Sequence, residues 1–189
     1  MQSHPTKLIG LLSLSVGRHG DERGFFAETY NQEAYSWAGI KSVFVQDNHS
    51  LSRQVGTVRG LHFQVPPHAQ AKLVRCGRGS IFDVAVDLRA GSPTFGQWHG
   101  EVLSFENGKQ LYIPEGFAHG FMTLESDTEI VYKCSDFYAP ECEGAIRFDD
   151  PGVGIAWPDL GVVPTLSDKD AKAPLLSDIN SPFKFEGSA

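Results

Sequence analysis

Short apolar runs, each cut off by glycine or proline, dominate this chain. Twenty glycines and eleven prolines are spread through 189 residues. Such punctuation fits an all-β sandwich or barrel rather than alternating strands and helices. The stretch 56–77 concentrates the polar residues with chemical potential: GTVRGLHFQVPPHAQAKLVRCG. Residues 57–64 and 70–76 alternate like strands, and 65–69 reads as the turn between them. Gln70, Lys72, Val74 and Cys76 then share one face, and Ala71, Leu73 and Arg75 the other. On the first strand Gly60, His62 and Gln64 share a face. Arg59 joins them only if Gly60 sits in a bulge.

The remaining segments continue the pattern. Strands are expected at 7–16, 25–30, 43–46, 80–89, 98–105, 110–113 and 145–148. Segments 119–124 and 128–135 read as a hairpin joined at 125–127. Asn31 is placed to cap a brief helix that runs through Trp37 and ends at Gly39. From 149 to 189 the chain is a Pro- and Gly-rich tail with one short helix after Ser167. Together these predict one domain over 1–189, an antiparallel jelly-roll barrel with a few short helices.

Acidic residues outnumber basic ones, 23 to 16, for a net charge of −7. That balance makes the chain a poor candidate for nucleic-acid binding, which usually needs a basic face. A small anionic ligand needs only a few local cations. Cys76, Cys134 and Cys142 lack metal-site spacing. Without a secretion signal they read as reduced thiols in the cytoplasm. No apolar run approaches the ~20 residues of a membrane span.

Two spacings resemble the paired motifs of the cupin superfamily: Gly56-x5-His62-x-Gln64, closed by Gly77, and Gly108-x5-Pro114-x-Gly116-x2-His119. Metal-binding cupins carry H-x-H and a glutamate in the first motif. Here Gln64 replaces the second histidine, and Gln70 lies near the glutamate position. Glutamine is a poor ligand for a transition metal, and His62 with His119 alone are too few. No metal and no other cofactor is therefore expected.

Nine segments in series resemble one narrower family: DERGFFAE, QDNHS, RGLHFQ, QAKLVRC, FDVAVDLR, SPTFGQW, IPEGFAHGF, IAWP and LSDKD. In this order and spacing they resemble the dTDP-4-dehydrorhamnose 3,5-epimerases, over about 21–174. The resemblance implies a metal-free homodimer that inverts carbons 3 and 5 of dTDP-4-keto-6-deoxyglucose, toward dTDP-L-rhamnose. Its N-terminal strands would be shared across the dimer. Thr57, where relatives often have an aliphatic residue, and the loop 158–166 depart from the family pattern.

The implied chemistry accounts for the residue types. A ketone at carbon 4 acidifies the protons on both neighbouring carbons, and loss of either gives an enolate. One oxyanion stabiliser can serve both centres. Inversion needs a base on one ring face and an acid on the other. Histidine, with a pKa of about 6.5, suits the base, and tyrosine, at about 10, keeps its proton for the acid role. The resemblance assigns His62 as base, Tyr132 as acid, Lys72 as the cation at the enolate and Asp170 as the orienting partner of His62. It assigns Arg59, Lys72 and His119 to the sugar and diphosphate. Arg23, Phe25, Glu28, Gln46, Asp47 and Asn48 are assigned to the nucleotide, in part from the partner subunit. Tyr138 would stack on the base, and Glu143 and Lys169 would reach the ligand from C-terminal loops. Asp83 is a secondary candidate for the cavity.

Plainer readings compete. A lone strand histidine is ordinarily structural, and Tyr132 shares a face with Ile130 and Cys134, as a core tyrosine would. Ser167-x-x-Asp170 also fits a helix capping box, which claims the same carboxylate as the dyad. Arg23 and Glu28 fit a solvated charge pair, but Phe25-Phe26 between them would leave one ring uncovered without a partner. An epimerase acting at one carbon, and a cupin that only binds a nucleotide sugar or keeps a metal on His62 and His119, are the alternative functions.

Overall fold

Two antiparallel sheets face each other in the computed structural model, which describes residues 1–187. The last two residues of the predicted tail lie outside the described residues. In chain order the strands are β1 (Gln2–Pro5), β2 (Leu12–Ser15), β3 (His19–Asp21), β4 (Gly24–Phe26), β5 (Gln46–Ser52), β6 (Val58–Gln64), β7 (Lys72–Arg78), β8 (Ser80–Asp87), β9 (Trp98–Ser104), β10 (Lys109–Ile113), β11 (Phe117–Thr123), β12 (Thr128–Cys134) and β13 (Glu143–Ala145). Two short helices interrupt them, α1 (Gln32–Trp37) and α2 (Asp168–Ala171). The first sheet runs β1-β2-β10-β7-β12-β5 and the second β13-β6-β11-β8-β9, while β3 and β4 form a separate ribbon. This is the cupin-type jelly roll.

Period-two alternation explains the layers. Val74, Cys76, Leu111 and Ile130 from the first sheet meet Ile81, Ala85, Leu103, Phe117 and Phe121 from the second. The second sheet also buries its outer face: Leu61, Phe63, Val84, Val86 and Ala118 lie under Val153, Trp157, Leu176 and Phe183 of the tail. Hence all seven residues of β11 are buried, and each large apolar side chain so buried contributes about 1.5–3 kcal/mol. On the first sheet's outer face, Leu14, Leu73 and Tyr112 pack under Tyr35 of α1. Asn31 caps α1 as expected, accepting from the N–H groups of Glu33 and Ala34.

Several boundaries differ from the sequence expectation, each for a physical reason. Segment 7–16 bends, because Leu8 and Leu11 both enter the core around a turn in which Leu11 N–H donates to Leu8 C=O. The strand expected at 43–46 lies at β5. Its inward residues Gln46, Asn48 and Ser50 are polar, so it carries no apolar alternation. Segments 25–30 and 145–148 shorten and shift to β4 and β13. The hairpin expected between 119–124 and 128–135 is not formed. β11 pairs with β6 and β8, whereas β12 pairs with β5 and β7. The turn between them crosses from one sheet to the other.

Gly60 is the bulge that the Arg59 parity required. Opposite it the β6–β11 register slips: His119 faces His62, yet Phe121 faces Arg59. Gly60 has φ +117, and a Cβ there would sit 2.6 Å from Gly120 Cα. Only glycine accepts both the conformation and the approach.

Candidate active site

At one end of the barrel the sheets part around a cavity of about 510 Å³. Arg59 and His62 enter it from β6, Lys72 from β7, His119 and Phe121 from β11, Tyr132 from β12, Glu143 from β13, and Lys169 and Asp170 from α2. A second lobe of about 320 Å³ shares His62, Lys72, Tyr132 and Glu143. It adds Gln46, Asn48, Cys134 and Tyr138.

His62 Nε2 lies 2.6 Å from Asp170 Oδ1, and the Asp170 side chain is only 5% exposed. The Asp170 N–H donates to Ser167 Oγ at 3.1 Å. The capping and dyad roles therefore do not compete: the cap uses the serine hydroxyl, and the carboxylate is left for His62. Burial lowers the His62 pKa below its ordinary value, although the Asp170 hydrogen bond and charge pull the other way. The ring is then neutral near pH 7, with Nε2–H donated to Asp170 and Nδ1 free to accept a proton.

Tyr132 stands on the opposite sheet from His62. Burial raises its pKa, Cys134 adds to the rise, and Arg59 partly opposes it. The phenol therefore keeps its proton at neutral pH. Burial lowers the Lys72 pKa, with Cys134, Asp83 and Glu143 opposing. His119 Nε2 lies 2.8 Å from Oδ1 of the fully buried Asp83.

The rim is tied together by polar links. Lys169 Nζ pairs with Glu143 Oε2 at 2.5 Å, and Tyr138 OH donates to the same oxygen at 3.0 Å. These bonds hold the Glu143 carboxyl below its usual range against the opposing effect of burial. Tyr138 N–H donates to Gln46 Oε1, and Gln46 Nε2 to Asn48 Oδ1. Arg59 donates to Ser52 Oγ and Leu51 C=O.

The cupin metal positions do not fit a metal. Gln64 Nε2 donates to the carbonyls of His68 and Phe137, and its Oε1 accepts from Ala139 N–H. Gln70 Nε2 donates to Asp136 C=O. Both amides brace loops. His62 and His119 direct Nε2 at carboxylates on separate elements, and among the described residues no three His, Cys, Asp or Glu gather as a metal site.

Four of the expected ligand residues stand apart from the cavity. Arg23 pairs with Asp21 in solvent. Phe25 packs on Phe105 with centroids 5.7 Å apart, and Glu28 is exposed. Asp47 pairs with Lys133 on the outer face of β5 at 2.8 Å, because strand alternation sends it opposite to Gln46 and Asn48. Conversely, Ser50, Phe121, Thr165 and Leu166 line the cavity without having been expected there. Parity with Asn48 and His119 would have found the first two. No local signal marks Thr165, which arrives through a parallel bridge to Thr57.

The family model described as dTDP-4-dehydrorhamnose 3,5-epimerase matches residues 5–178. A dTDP-4-dehydrorhamnose 3,5-epimerase of Salmonella typhimurium is 54% identical over 172 residues, 90% of this chain and 93% of that protein. Among solved structures, a dTDP-6-deoxy-D-glucose-3,5-epimerase from Legionella pneumophila, in complex with dTDP-4-keto-L-rhamnose, superposes with a TM-score of 0.93. It is 46% identical, over 98% of this chain and 99% of that one. A 3'-monoepimerase from Streptomyces bikiniensis in complex with dTDP-quinovose gives 0.86 at 39% identity, over 92% and 87%.

Proposed function

Since the chain belongs to the dTDP-4-dehydrorhamnose 3,5-epimerase family, we propose that it converts dTDP-4-keto-6-deoxy-D-glucose to dTDP-4-keto-L-rhamnose by inverting carbons 3 and 5. The observation that carries this reading is the cavity wall. The His62–Asp170 pair lies on one side, Tyr132 projects from the opposing sheet, and Lys72 lines the same space.

His62 Nδ1 takes the proton from the carbon beside the ketone. The electrons pass to the ketone oxygen, and the ammonium of Lys72 stabilises the enolate oxygen. Asp170 steadies the imidazolium that forms. Tyr132 returns a proton from the other ring face, so the centre inverts; solvent then takes the proton from His62 and reprotonates Tyr132 before the second centre reacts. The enolate to carbon 3 and that to carbon 5 share one oxygen, so one cation serves both steps. Arg59, His119, Lys169 and Glu143 hold the diphosphate and sugar. Gln46, Asn48 and Tyr138 hold the nucleotide, with Tyr138 stacking on the base.

The working unit in this reading is a homodimer. Arg23, Phe25 and Glu28 of each subunit reach the nucleotide of the other, which agrees with the exposure of Phe25 and Phe26, 46% and 70%. The cytoplasm is its setting, in keeping with three free, buried cysteines. No helix among the described residues is long and apolar enough to cross a membrane.

Incubation with dTDP-4-keto-6-deoxyglucose in heavy water tests the reaction. Deuterium at both carbons 3 and 5 of an L-configured product is expected, and its absence from both would overturn the reading. The likeness to a 3'-monoepimerase favours one alternative: deuterium at carbon 3 alone would make this a single-centre epimerase.

A further inference from the structure

Asp83 is a fully buried carboxylate with one oxygen unaccounted for. It lies on β8, with its side chain turned toward the space between the sheets. Oδ1 accepts from His119 Nε2 at 2.8 Å, while Oδ2 is buried with no hydrogen-bond partner. A buried polar atom left unpaired costs about 1–3 kcal/mol, and more when charged, so it needs a partner or a role.

The cavity that its partner His119 lines holds a cation with the complementary deficit. Lys72 Nζ makes no hydrogen bond or ion pair among the described residues, whereas the neighbouring cations are engaged. Arg59 bonds to Ser52 and Leu51, Lys169 to Glu143, and Lys133 to Asp47. The groups facing Lys72 can be taken element by element. β6 presents His62, β11 His119, β12 Tyr132 and Cys134, and β13 Glu143; behind His119, β8 carries Asp83, whose charge acts on Lys72. Glu143 is already paired with Lys169 and Tyr138. Burial raises the Cys134 thiol pKa, which keeps it neutral. Asp83 is therefore the anion acting on Lys72, among the described residues, that carries no cation of its own and whose second oxygen is both buried and unpaired.

We propose that Asp83 is a positioning residue: it is the buried counter-charge that keeps Lys72 an ammonium ion, while its other oxygen fixes the His119 ring. The proposal rests on the epimerase reading for its catalytic consequence but not for its first test. Burial drives Lys72 toward the neutral amine, which could not stabilise an enolate, and Asp83 opposes that drift.

The first test needs no turnover. The protein is labelled with 13C at lysine Cε, and the Lys72 signal is assigned by its loss in Lys72→Arg. Wild type should show Lys72 protonated at pH 7; a neutral Lys72 there would overturn the proposal whatever the variants do. In Asp83→Asn, whose amide oxygen can still accept from His119, the Lys72 midpoint should fall by about one unit or more. An unmoved midpoint in folded Asp83→Asn would overturn it equally. The second test is kinetic. The basic limb of kcat should move to lower pH in Asp83→Asn, leaving kcat down about tenfold on the alkaline side and partly recovered on the acid side, with KM little changed. Asp83→Glu should restore the limb. A loss of kcat equal at every pH would reduce Asp83 to a support for His119. Absence of wild-type turnover would defeat the epimerase reading while leaving the Lys72 titration to stand or fall by itself.

Discussion

His62 gives up its proton more readily than a free imidazole because burial outweighs the pull of Asp170. The base must be neutral to act. Activity should therefore rise with pH through a midpoint below about 6.5 and be level by neutrality. A kcat/KM profile with its acid limb centred above 7 would contradict this. Tyr132 supplies a sharper test, since removing its hydroxyl leaves the ring packed against the core. Tyr132→Phe should still exchange substrate protons with heavy water, because His62 and Lys72 remain. It should return deuterium with the original stereochemistry and make little L-sugar. Normal inversion at both carbons would mean that another group donates the proton.

Elements set the distances that those residues need. Gly60 lets β6 and β11 approach closely enough for His62 and His119 to sit side by side, and it returns Arg59 to their face. Gly60→Ala would force a Cβ against Gly120 Cα and His119 O. A loss of about 1–3 kcal/mol in denaturant unfolding is expected, with a drop in kcat beyond what the unfolded fraction explains. Unchanged stability and turnover would show that the strands tolerate more separation. Legibility in the sequence follows the same logic. Strands with one apolar face, such as β7, β8 and β10, were readable from alternation, and the glycine at 60 announced its bulge. β5 was not, because its inner face is Gln46, Asn48 and Ser50 and lines the cavity rather than the core. The 119–124 and 128–135 pair was misread because hairpins and sheet-to-sheet crossovers share the same short turn. His62 and Lys72 lie in quoted motifs, and Tyr132 was named from the resemblance as a whole. The meeting of His62 with Asp170, which the structure shows, came from the resemblance alone, since nothing local joins residues 108 apart.

At the scale of the whole molecule, the exposed pair Phe25 and Phe26 is the surface on which the proposed dimer can be tested. If each subunit lends Arg23 to its neighbour, two crippled variants should rescue one another. Mixing His62→Asn with Arg23→Ala, unfolded and refolded together, should restore about a quarter of wild-type activity: half the dimers are mixed, and each has one intact site of two. No recovery, or a fully active monomer by light scattering, would contradict the shared site. The tail has a further consequence. It bridges to Thr57, just ahead of β6, through Thr165 and then delivers Asp170 to His62. During synthesis the base therefore leaves the ribosome long before its carboxylate. A nascent chain halted ahead of α2 would carry every barrel strand and still hold an unaccompanied imidazole. Until α2 has been made, the His62–Asp170 pair cannot form.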